Sequence, residues 1–232
     1  MAFHKSTILL LCVPLAILLF LEAGTLWCLI KDILDDQSAK WVNYKWMLLG
    51  IALFFVIRYL IVKLHWPFRK GTEKANLEAM ETFMHERTHQ IVALLLGRRL
   101  HSFYAEQRSG VVYTSGNDNT HVLVALAPYC LPRITLTYIV ARMMIKSEWI
   151  WLYDMIIGLS MGFHGVCFYK QTRNTQTDIN QFPLYFSYLF IATFLLLNII
   201  IVLVCIGNDY DIVDTICYIL KASWKFITCF VN

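Results

Sequence analysis

His85, Glu86 and His89 fall in the order H-E-x-x-H within "FMHERTHQIV". On a helix, residues i and i+4 share a face, so the two imidazoles can be offered to one metal ion. Glu86 is one position round from His85, close enough to take a proton from a water activated there rather than to ligate. Zinc suits the set, because two histidines and one carboxylate leave a fourth position open for water. The chemistry indicated is hydrolysis, with one Zn2+ per chain. The plain alternative is a pair of helix-surface histidines beside an incidental glutamate. The setting weighs against it, because ionisable groups at membrane depth are costly and tend to be functional.

The element that must carry these residues is a helix over Glu73–Leu96, roughly 36 Å long at 1.5 Å per residue. Thr72 serves as its N-cap and Gly97 as its stop. Its first half is amphipathic and its second half, "IVALLLG", is apolar, which sets the histidines at or just inside a membrane boundary. After Gly97 the period changes. Leu100–Ala105 and Val111–Ser115 flank the turn-like "QRSG", which predicts a β-hairpin over residues 98–116.

The rest of the chain supplies the membrane. Of 232 residues, 58% are hydrophobic and only 16% are charged, which excludes an ordinary soluble domain. Thr7–Ile30, Trp46–Leu64, His121–Ile145, Trp149–Tyr169 and Phe182–Ile206 are each long enough to cross as helices. The first run is too long for a signal peptide and is read as an uncleaved span. The fold class predicted is an all-α polytopic membrane protein of about five to six membrane helices, with the short β-hairpin after the H-E-x-x-H helix. One integral domain spans 1–232. It has two N-terminal spans in 1–70, a core in 71–206 and, in 207–232, a tail helix lying in the interface. The apolar face of that tail is Ile212, Ile216, Leu220, Trp224 and Ile227. Lys63, Arg69, Lys70 and Lys74 make the second connection the best cytoplasmic loop.

The net charge of +4 is scattered, so no nucleic-acid partner is expected. The expected partners are the lipid bilayer and a membrane-protein substrate; the oligomeric state is open. The seven cysteines form no C-x-x-C pair and read as packed or lipid-facing residues.

An H-E-x-x-H helix, then a hairpin of the "GRRLHSFYAEQRSGVVYT" type, then apolar spans with an acidic residue far downstream, resembles the site-2 protease group of intramembrane zinc metallopeptidases. It is closest to the compact branch without a PDZ domain. The resemblance covers Glu73 to Ile206. It implies Asp178, in "QTRNTQTDINQF", as the third metal ligand beside His85 and His89, with Glu86 as the catalytic base. It also implies a transmembrane segment as substrate, with a bacterial cytoplasmic membrane as the expected setting. This chain has Thr177–Asp178–Ile179 where many members have Leu-Asp-Gly. Asp154, inside a span, is therefore kept as the rival carboxylate unless it pairs with Arg142, followed by Asp118 and Glu106.

Several other groups invite structural roles. His164 reads as a hydrogen-bonded helix contact, and His101 and His121 as interfacial. Glu22 and Arg58 can pair with each other. Gly158, Gly162 and Gly165 allow close helix approach, against the metal helix or a second copy. Two other classes remain open on sequence alone: a non-catalytic membrane scaffold, and a metal-binding transporter or sensor, for which Asn198 and His164 offer polar groups. The intact Glu86 favours an enzyme over a scaffold.

Overall fold

The computed structural model describes residues 5–35, 40–63, 72–105, 110–114, 121–145, 147–208 and 212–231. The regular elements among these residues are helices, apart from one short strand pair. In order they form α1 (Lys5–Asp35), α2 (Lys40–Lys63), α3 (Thr72–Leu95), β1 (Leu100–Ala105), β2 (Gly110–Thr114), α4 (Val122–Cys130) and α5 (Arg133–Arg142). A short 3-10 turn leads into α6 (Ile150–Gln171), followed by α7 (Thr177–Asn180), α8 (Leu184–Asn208) and α9 (Ile212–Val231).

Four helical stretches are long and apolar enough to cross a membrane: Thr7–Leu34, Val42–Lys63, Ser147–Gln171 and Leu184–Gly207. Large apolar side chains such as Leu10, Val13, Ile17, Phe20, Phe55 and Val56 stand exposed on α1 and α2. Water would penalise such rows, whereas lipid solvates them. The protein is a multi-pass membrane protein. α3, which carries the H-E-x-x-H residues, is not one of the four.

The stretch expected as a single third span, His121–Ile145, is instead two helices bent by 73° between Cys130 and Arg133. Pro132 is the cause. Its ring clashes with the preceding turn, it has no N–H to give, and it forces Leu131 into extended backbone at φ −102 and ψ 100. A break at this depth frees carbonyls that no water can satisfy. Asn198 of α8 donates to Cys130 O at 3.1 Å, and Leu131 N–H closes back on Ala127 O at 2.8 Å. Asn198 is thus engaged in holding the broken helix rather than lining a path.

α8 forms the centre of the bundle. Ile200, Val202, Val204, Cys205 and Ile206 are buried against α1, α2 and α5. Its first half, with Phe186, Phe190 and Ile191, packs with Leu126 and Tyr129 of α4 and Ile179 of α7. α2 and α6 meet backbone to backbone. A Cβ on Gly158 would lie 2.0 Å from Met47 O, and one on Gly50 would lie 2.0 Å from Met155 O. Gly162 faces Phe54, while Gly165 has nothing within 4 Å. The small-residue face of α6 therefore serves α2, not the metal helix.

α3 ends at Gly97, whose φ of +74 is the left-handed value that closes a helix. Arg98 N–H reaches back to Ala93 O and Gly97 N–H to Leu94 O, satisfying the last carbonyls. The chain turns directly into β1, which pairs antiparallel with β2 (Phe103 opposite Val112, Ala105 opposite Gly110), with an irregularity between Leu100 and Ser102. Gln107, Arg108 and Ser109 of the "QRSG" turn lie outside the described residues, as do Asp118 and Glu106.

α9 does expose Val213, Ile216, Leu220, Trp224 and Ile227. Its other face lies along α1, with Tyr218 donating to Asp32 Oδ2 at 3.2 Å, Ser223 on Thr25 at 2.8 Å and Phe226 on Phe20 at 5.3 Å. These pairings run in opposite order along the two helices. The tail helix therefore runs antiparallel to α1 along this stretch.

Candidate metal centre

α3 places His85 and His89 one turn apart with ring centroids 4.8 Å from each other, both buried. The four-residue α7, braced through the fully buried Ile179, brings in Asp178 from 89 positions beyond His89. Ser187 of α8 caps that support by donating to Ile179 O at 2.8 Å.

Three atoms converge. His85 Nε2 is 3.2 Å from His89 Nε2, and Asp178 Oδ2 is 3.4 Å from the first and 3.2 Å from the second. Donors about 2.0–2.1 Å from a tetrahedral zinc stand roughly 3.3 Å apart, so this triangle has the dimensions of one face of a zinc tetrahedron. Among the described residues, these three are the group of His, Cys, Asp and Glu side chains able to hold a metal ion.

The outer nitrogens of both rings are engaged. His89 Nδ1 lies 2.7 Å from Val124 O, and His85 Nδ1 lies 3.0 Å from Gln171 Oε1. Each partner is an acceptor, so each Nδ1 carries hydrogen and a neutral ring keeps its lone pair on Nε2. Two lone pairs and a carboxylate oxygen then face one another, and they repel unless positive charge sits among them. Where no cation is bound, a proton on Nε2 relieves the same repulsion by turning a ring into a donor to Asp178. Burial pushes Asp178 upward, but hydrogen bonds from His85 and His89 outweigh it and hold the carboxyl below its usual range. Burial pushes His89 downward, and the bond to Asp178 reverses that, leaving it raised. A divalent cation satisfies all three atoms at once, and the donor set fits zinc.

Glu86 is buried, and that burial raises its pKa against the pull of His89 and His85. A carboxylate with a raised pKa is a stronger base than an ordinary one, which suits it to accept and return a proton. Tyr129, fully buried, packs edge-on to His85 at 5.1 Å and donates to Asp178 Oδ2 at 3.3 Å. Asp178 keeps 23% of its side-chain surface open, against 7% and 9% for the histidines, so it is the most exposed of the three.

The rival carboxylate is spoken for. Asp154 Oδ1 is 2.6 Å from Arg142 Nε, both side chains buried. The other polar residues also find different places. Arg58 pairs with Glu81 at 2.8 Å, not with Glu22, whose carboxylate has no hydrogen-bond partner among the described residues. His164 Nε2 likewise has none, which replaces the expected helix contact; its ring lines a cleft that also reaches His85 and Gln171. Gln171, Tyr129 and Val124 were not singled out from the sequence. Nothing in their spacing relates them to residues 85–89, since Val124 and Tyr129 arrive on α4 and Gln171 on α6.

A family model described as Peptidase M50B-like matches residues 46–231. The chain belongs to this family, within the site-2 protease (M50) group. The match takes in α2 and α9 as well as the Glu73–Ile206 stretch that carries the motif resemblance. No curated protein and no solved structure matches the chain. Membership of the Peptidase M50B-like family and the apolar helices together indicate a membrane metalloprotease.

Proposed function

We propose that the chain is a membrane-embedded zinc endopeptidase that cuts transmembrane segments of other proteins. The observation that carries this reading is the convergence of His85 Nε2, His89 Nε2 and Asp178 Oδ2 within 3.4 Å, beside a buried Glu86. His85, His89 and Asp178 hold one zinc per chain. When bound, zinc supplies a Lewis acid that polarises the scissile carbonyl and makes water acidic enough to be used near neutral pH.

The remaining work belongs to the chain. Glu86 takes the proton of the attacking water and hands it to the departing amide nitrogen. Tyr129 and Gln171 keep the ligands aimed. A transmembrane helix hides its peptide bonds, so the substrate must be held extended. The β1–β2 pair, which follows α3 directly, offers strand edges to which an unwound segment can add.

The test uses purified protein in detergent. Wild type is expected to carry about one zinc and to cut a model transmembrane substrate, and His85→Ala or His89→Ala to lose both. Zinc retained in full by both single variants removes the metal reading. Zinc without cleavage of any transmembrane substrate leaves a non-catalytic scaffold instead.

A further inference from the structure

The two histidines are held from behind by acceptors of different kinds. For His89 it is a main-chain carbonyl; for His85 it is the side chain of the last residue of α6, 86 positions away. We infer that Gln171 is the positioning residue of the metal centre, holding His85 with hydrogen on Nδ1 and its lone pair on Nε2 directed towards His89 and Asp178. This rests on the metal role proposed for His85.

A glutamine amide has a donating and an accepting end, and Glu81 decides which of them His85 meets. Gln171 Nε2 donates to the Glu81 main-chain carbonyl at 3.3 Å. A carbonyl can only accept, so the amide nitrogen is committed there and the amide oxygen is left for the imidazole. Reversing the amide would set its oxygen against the Glu81 carbonyl. That carbonyl lies one turn before His85 on α3, where it already accepts the helical N–H of His85. Its second lone pair is what Gln171 uses. The polarity therefore runs in one direction from α3, through α6, and back to α3 at the metal ligand.

A simpler role for Gln171 would be to dock α6 on α3. That task has its own residue. Lys170 Nζ reaches Glu81 Oε2 at 2.8 Å, with Arg58 of α2 on the same carboxylate at 2.8 Å. Neither contact touches a histidine, so docking and orientation can be separated by neighbouring substitutions.

The experiment measures zinc affinity by competition with a chromophoric chelator, together with thermal melting, for purified wild type, Gln171→Leu, Gln171→Ala, Gln171→Glu and Lys170→Ala. Gln171→Leu, which keeps bulk but no acceptor, is expected to weaken zinc 10–100-fold, the range for losing an outer partner of a metal-bound histidine. Gln171→Ala carries the same expectation and stands in if leucine is not accommodated. Gln171→Glu still accepts from Nδ1–H, so it should bind within about threefold of wild type, even if it melts lower. Lys170→Ala should melt lower with zinc affinity unchanged. Wild-type affinity in both the leucine and alanine variants overturns the inference. So does an equal loss in Lys170→Ala, which would make helix docking the cause. Wild-type protein that binds no zinc overturns the metal reading and this inference with it.

Discussion

Arg142 Nε lies 2.6 Å from Asp154 Oδ1, and the pair is buried between α5, α6 and α8, where Arg142 also donates to Cys205 O at 3.3 Å. The contact explains how an aspartate is tolerated inside a span: its charge is matched and hydrogen-bonded. It also separates the two carboxylates that stood as rivals for the metal. Asp178→Asn is expected to weaken zinc by at least the 10–100-fold seen for outer-shell losses. Asp154→Asn should leave zinc nearly intact but destabilise the fold by about 3–5 kcal/mol, since it strands a buried guanidinium. Zinc titration and thermal melting of the two variants check this. The opposite pattern would move the ligand into α6.

Glu86→Gln preserves shape and removes the base. Zinc content should stay at the wild-type level while cleavage falls by at least about 10²–10⁴-fold, the usual contribution of a positioned acid–base group. The variant should also retain substrate long enough for co-purification. Undiminished turnover would remove Glu86 from the chemistry.

The backbone contact between α2 and α6 predicts a position-specific response. Gly158→Ala puts a methyl 2.0 Å from Met47 O, which the helices can relieve only by separating, at about 1–3 kcal/mol. Gly165→Ala, about two turns further along the same helix, meets nothing within 4 Å. It should be neutral, or stabilising by about 0.5–1 kcal/mol through helix propensity. Melting curves in detergent distinguish the two; equal effects would argue against the close crossing.

Val112 sits opposite Phe103 in the strand pair. Val112→Pro removes a backbone donor and should disturb pairing. Cleavage of a transmembrane substrate is expected to drop while zinc content holds, because the strands supply none of the metal ligands. Unchanged cleavage would exclude the strands as a substrate clamp.

The sequence by itself determined the parts whose cause is local. Apolar runs long enough to cross lipid, the helix carrying His85, Glu86 and His89, and its end at Gly97 all follow from periodicity and from the backbone freedom of glycine. The i, i+4 spacing alone brings two imidazoles to one face. What the tertiary structure decided involves partners far apart in the chain. Asp178 reaches the histidines because α7 is braced on α8. Asp154 does not, because Arg142 holds it. The break at Pro132 could be read from the residue, but its tolerance at membrane depth depends on Asn198 from α8. Arg58 had Glu22 as its expected partner on sequence grounds and took Glu81 of α3 instead, a pairing that only the packing of α2 near α3 creates. Gln171 had no sequence signal at all. Its function is set by a single amide pinned between two groups of α3, and such a contact exists only once α6 has packed.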